Sequence, residues 1–76
     1  MNLKQLEEWH RLEEEAKRIR RREANWEFIR KQRPRIRAAL IYYIEFGDIR
    51  RASKIAQMNI EEFRELLRDA NIPVIV

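Results

Sequence analysis

Apolar residues recur along the first third of the chain at alternating three and four spacings: Trp9, Leu12, Ala16, Ile19 and Trp26, interrupted by Glu23. Leu3 and Leu6 precede this seam slightly off register. Residues 2–32 contain neither Gly nor Pro and are dominated by strong helix formers, which predicts one continuous helix roughly 45 Å long. A seam of this kind requires a partner helix, on its own chain or on a second copy. Between residues 36 and 46 the pattern changes, because Ile36, Ala39, Leu40, Ile41, Tyr42, Tyr43, Ile44 and Phe46 leave almost no polar face. A helix with that composition is expected to lie centrally, covered on several sides. Further on, Ala52, Ile55 and Ala56 give a small apolar face, and Ile60, Phe63, Leu66 and Leu67 give a bulky one at helical spacing.

Local signals divide these stretches. Pro34 ends the first helix near Gln32 and is suited to the first turn of the next. Gly47, the one glycine, stands where that second helix should stop in a left-handed conformation. Asp48 can cap a helix running to Ala56, Gln57 and Met58 make a turn, and Asn59 with Glu62 three residues on has the spacing of a capping box. The expected fold is all-α: a long N-terminal helix, a central apolar helix and a helix-turn-helix. Residues 1–33 form a charged dimerisation or packing arm in this reading, and 34–76 a helix-turn-helix domain. The apolar end, Asn71 to Val76, is expected either to pack on the core or to pair as a short strand with a symmetry mate.

Size and charge sharpen this picture. Seventy-six residues make one small domain, and the compact part from Arg35 onward, about forty residues, is near the limit of independent folding. With no Cys for disulfides or thiolate metal sites, a symmetric homodimer is the expected way to complete the core. The long helix is laced with acid–base pairs, Glu7 with Arg11, Glu13 with Lys17, Glu14 with Arg18 and Glu27 with Lys31, which support helix without indicating a function. Its two tryptophans flank a basic run, but interleaved glutamates argue against a membrane surface. Lack of Cys, of an 18-residue apolar run and of a signal pattern predicts a cytoplasmic protein without membrane insertion. Abundant Glu and Arg also fit a heat-adapted source. A formal charge of +4 permits an anionic partner, diluted by 13 acidic residues. The densest unneutralised positive charge surrounds Pro34, at Arg33, Arg35 and Arg37.

In a helix-turn-helix the first helix must be small where the second crosses it, and the second bulky; Ala52 and Ala56 with Met58, Phe63 and Leu66 fit. Residues 52–67, ASKIAQMNIEEFRELL, resemble the motif of the factor-for-inversion-stimulation type, approximately A-A-x-x-L-G-I-S-x-x-x-L-x-x-x-L. The segment from Ala38 to Pro73 resembles a family of small prokaryotic antitoxin-like proteins through Ala39-Leu40 with Tyr43, Ala52 to Met58, Glu62-Phe63 with Leu66-Leu67, and Asn71-Ile72-Pro73. Gln57 and Asn71 stand where that family has glycine, and Asn also tolerates left-handed geometry. The resemblance covers about half of the chain and implies a helix-turn-helix regulator or antitoxin, with double-stranded DNA or a protein such as a toxin as partner.

On a DNA reading, Asn59, Ile60, Glu61, Arg64 and Arg68 should face the major groove, with Arg64 suited to guanine and Glu61 to cytosine. Arg50, Arg51 and Lys54, joined by Arg33, Arg35 and Arg37, would hold phosphates. From Ala52 onward, however, Lys54, Arg64 and Arg68 face Glu61, Glu62, Glu65 and Asp69, a surface that also suits a helical protein–protein interaction module. An enzyme is not expected, nor a metal or cofactor: His10 is the one histidine and has no nucleophile or ligand companion, and no glycine-rich phosphate loop is present.

Overall fold

The first helix stops nine residues short of the expected position, and the reason lies at the other end of the chain. The computed structural model describes residues 2–74. In it α1 spans Leu3–Glu23, opened by a capping box between Asn2 and Gln5. Ala24 is extended, and Asn25 caps a five-residue helix, α2 (Trp26–Arg30), by accepting from the Phe28 N–H. The Asn25 N–H donates to the Ala70 carbonyl at 2.8 Å, and the Asn71 side-chain amide donates to the Glu23 carbonyl at 2.9 Å. Propensity favours a continuous helix, but these two long-range bonds and the burial of Ala24 and Ile29 outweigh it. The bend also breaks the seam: Trp26 turns its indole N–H back to the Arg21 carbonyl at 2.9 Å.

The remaining helices follow their local signals. Pro34 opens α3 (Pro34–Phe46), and Gly47 closes it at φ 65°, its N–H donating to the Tyr43 carbonyl. Asp48 caps α4 (Ile49–Ala56), and Asn59 with Glu62 forms the capping box of α5 (Ile60–Asp69). Gln57 and Asn71 both adopt the left-handed conformation, at φ 56° and 55°. Each completes the same reverse turn: Met58 N–H donates to Ser53 O and Gln57 N–H to Lys54 O, while Ile72 N–H donates to Leu67 O and Asn71 N–H to Arg68 O. The two positions therefore need the backbone geometry that glycine supplies most readily.

The protein is all-α, with no strand among the described residues. Phe63, Ile29, Leu40, Ile44 and Leu67 are its largest fully buried side chains. Ala52 and Ala56 are buried on α4, so that α5 crosses closely and Phe63 meets Tyr43 edge-on at 6.2 Å between ring centres. Ala24 and Ile29 from the N-terminal third belong to the same core. One apolar expectation is corrected. Ile55 is exposed, because the buried edge of α4 runs through Ala52, Ser53 and Ala56. On α5 the expected apolar face does meet the core: Phe63 and Leu67 are buried, Leu66 is half-buried against them, and Ile60 is half-buried. α3 lies centrally as expected, in contact with α1, α2 and α4, with Ala39, Leu40, Tyr43 and Ile44 buried and Ile41 and Phe46 left exposed. Ile72 seals the core, Val74 is exposed, and the remainder of the expected terminal strand, residues 75–76, lies outside the described part.

Charged side chains tie α1 to α3. Of the anticipated pairs along α1 and α2, Glu27–Lys31 forms at 3.5 Å; Arg11 instead pairs with Glu8, and Lys17 reaches across to Glu45 at 3.0 Å. Arg21 donates to the same carboxylate. These hydrogen bonds, Arg21 first and Lys17 second, hold the Glu45 carboxyl below its usual pKa. A carboxyl lowered by folding stabilises the folded state above its unfolded pKa, and the contribution disappears as pH falls through the folded value. Glu45→Gln is therefore expected to cost about 0.5–1 kcal/mol near neutral pH. In strong acid, thermal melts of the two proteins should converge; a gap that persists there would show that the pair is not its source.

Candidate nucleic-acid interface

The helix-turn-helix gives α5 one buried and one exposed face. Glu61, Arg64 and Arg68 are exposed, as are Glu62, Glu65 and Asp69, whereas Ile60 is half-buried. Asn59 is exposed, but its side-chain oxygen already accepts from the Glu62 N–H at 2.8 Å, leaving only its amide NH₂ to contact a ligand. Arg64 lies 4.0 Å from Glu61, a loose pair that a base edge could replace. Tyr43 lies beneath this region: burial raises its pKa, and the positive charges of Arg20 and Arg64 oppose that rise.

Among the basic residues, Arg35 is fixed by geometry. Its guanidinium donates to the Gln57 side-chain oxygen at 2.8 Å, tying the start of α3 to the turn between α4 and α5. Arg33, two residues before it, is exposed and makes no cap hydrogen bond. Lys54 is exposed in the last turn of α4, three residues before Gln57. Arg33, Arg35 and Lys54 thus belong to segments that converge on the turn ahead of α5. Arg50 and Arg51 form a second exposed group at the start of α4. The Tyr42 hydroxyl, and then the Asp48 carboxylate, favour the charged form of Arg51. Arg37 is placed differently: half-buried, it donates to the Arg30 and Gln32 carbonyls at 3.3 and 3.4 Å and neutralises the end of α2.

One buried cation was not anticipated. Arg20 is 6% exposed, its Nε–H donates to the Ile44 carbonyl at 3.0 Å, and its guanidinium lies 5.7 Å from the Tyr43 ring centre. It closes the negative end of α3 and takes no part in the exposed surface. Nothing in its own neighbourhood separates it from Arg18, Arg21 and Arg22. Asn25, in contrast, carried a readable signal, since Asn followed within a turn by a glutamate is a helix start.

His10 sits on the exposed part of α1, with the Trp9 ring as its aromatic neighbour. Among the described residues no helix is long and apolar enough to cross a membrane. The chain matches no family model, no curated protein and no solved structure.

Proposed function

We propose that this chain is a small dimeric helix-turn-helix protein that binds double-stranded DNA in the cytoplasm, as a transcriptional regulator of the antitoxin-like kind. The observation that carries this reading is the Arg35–Gln57 hydrogen bond, which ties Arg35 of the Pro34 joint to the turn that delivers α5. With α5 in the major groove, Arg64 takes guanine and Glu61 takes the cytosine amino group. Arg33, Arg35, Lys54, Arg50 and Arg51 hold the phosphates on either side. The left-handed Gln57 and Asn71, at the two positions where the antitoxin-like family has glycine, support the same reading.

The test is binding to the DNA upstream of the protein's own coding sequence, followed as salt is raised. Log affinity should fall linearly with log salt, with a slope of about −0.9 for each phosphate neutralised. Arg64→Ala should weaken the complex by about 1–3 kcal/mol and relax the preference at one base. No binding at low salt would overturn the proposal.

A second reading is favoured by the exposed acids Glu61, Glu62, Glu65 and Asp69 on α5. In it the same face docks a basic protein partner, such as a toxin, without DNA. Joint replacement of Arg64 and Arg68 by alanine separates the two: DNA binding is lost on the first reading, and capture of the protein partner survives on the second.

A further inference from the structure

Among the described residues, two other than glycine hold a left-handed backbone, Gln57 at φ 56° and Asn71 at φ 55°. Asn71 is of a type that tolerates this region, and its side chain accounts for its presence: the amide donates to the Glu23 carbonyl and holds the break after α1. Gln57 has neither reason. Glutamine gains nothing locally from a positive φ, and glycine at the end of α4 would close the same turn without strain. The Gln57 side chain is exposed, and its oxygen accepts from an equally exposed arginine, Arg35, at 2.8 Å. A hydrogen bond between two exposed side chains competes with water and adds little to stability. Arg35 in turn stands in the first turn of α3, the end where a helix disfavours a cation, and no carboxylate pairs with it among the described residues.

We infer that Gln57 is a positioning residue for DNA: it holds the Arg35 guanidinium in place for a backbone phosphate while leaving its charge whole. This role rests on the DNA reading proposed above and adds to it a residue that acts through Arg35. A neutral amide suits the task better than a carboxylate. Glutamate at the same position would hold Arg35 but cancel the charge that draws a phosphate. The glutamine oxygen takes up one N–H of the guanidinium and leaves the others for phosphate oxygens. Because Arg35 is ordered before DNA arrives, less side-chain freedom is lost on binding. The same bond fixes the start of α3 to the turn before α5, so the phosphate held by Arg35 sets how α5 enters the groove.

Binding to the upstream DNA and thermal unfolding are measured for the wild type, Gln57→Gly, Arg35→Ala and the double variant. Gln57→Gly should unfold at no lower temperature than the wild type, because the backbone strain it relieves offsets the exposed hydrogen bond it loses. Its DNA affinity should nevertheless fall about two- to tenfold, the range for one side chain no longer ordered in advance. Its salt slope should stay that of the wild type, since Arg35 still neutralises a phosphate, whereas Arg35→Ala should make the slope shallower by about 0.9. Once Arg35 is replaced by alanine, adding Gln57→Gly should weaken binding no further. Wild-type affinity in Gln57→Gly, losses that multiply in the double variant, or a melting temperature well below that of the wild type would each overturn the role of Gln57. Where the wild type binds and Arg64→Ala weakens it, those outcomes strike Gln57 alone; a wild type that fails to bind at low salt removes the DNA reading and this role together.

Discussion

Phe63→Ala is expected to remove about 3–5 kcal/mol of stability, the usual cost of emptying a buried aromatic site. For a chain of this length the total is only about 4–11 kcal/mol, so most of the cooperative transition should be lost. The site cannot collapse easily. Phe63 is fully buried with its ring set edge-on to Tyr43, and the α4 side chains it crosses, Ala52 and Ala56, are too small to move into the space. Thermal unfolding followed by circular dichroism checks the result. Leu66→Ala, one turn along but half-buried, is the control and should cost much less, about 1 kcal/mol, in proportion to the smaller area it removes from water. Equal losses at the two positions would mean that α5 is docked in a rotated orientation.

That contrast marks where the sequence was readable. The stops and starts at Pro34, Gly47, Asp48 and Asn59 with Glu62 were legible because each is settled within four residues by backbone chemistry. Periodicity identified the apolar face of α5, but it gave Leu66 the same standing as Phe63; only the direction from which α3 and α4 approach decides between them. The break at Ala24 was hidden for a related reason. It depends on hydrogen bonds from Asn25 to Ala70 and from Asn71 to Glu23, between residues more than forty positions apart. In the candidate interface the exposed residues of α5 were legible from helical spacing alone. The different roles of Arg35, tied to the turn, and Arg37, spent on the end of α2, were not, since both stand in one run of alternating arginines.

Arg20→Met should cost about 2–3 kcal/mol, the range for losing a hydrogen bond from a charged donor and leaving its buried acceptor unpaired. Methionine can replace the aliphatic stem, so the loss isolates the guanidinium: its bond to the Ile44 carbonyl, its position at the negative end of α3 and its contact with the Tyr43 ring. Arg20→Lys should recover only part of this, because an ammonium lacks the planar group that rests against Tyr43. The neighbouring glycine supplies an independent check. At Gly47 a Cβ would be strained by the positive φ and would also meet the Arg20 guanidinium at 3.2 Å. Gly47→Ala should therefore destabilise the wild-type protein more than it destabilises Arg20→Met, where only the backbone strain remains. The coupling expected from a double-mutant cycle is about 0.5–1 kcal/mol. Strict additivity would mean that Arg20 does not hold the position over Gly47, and the cost of Arg20→Met would then need another source.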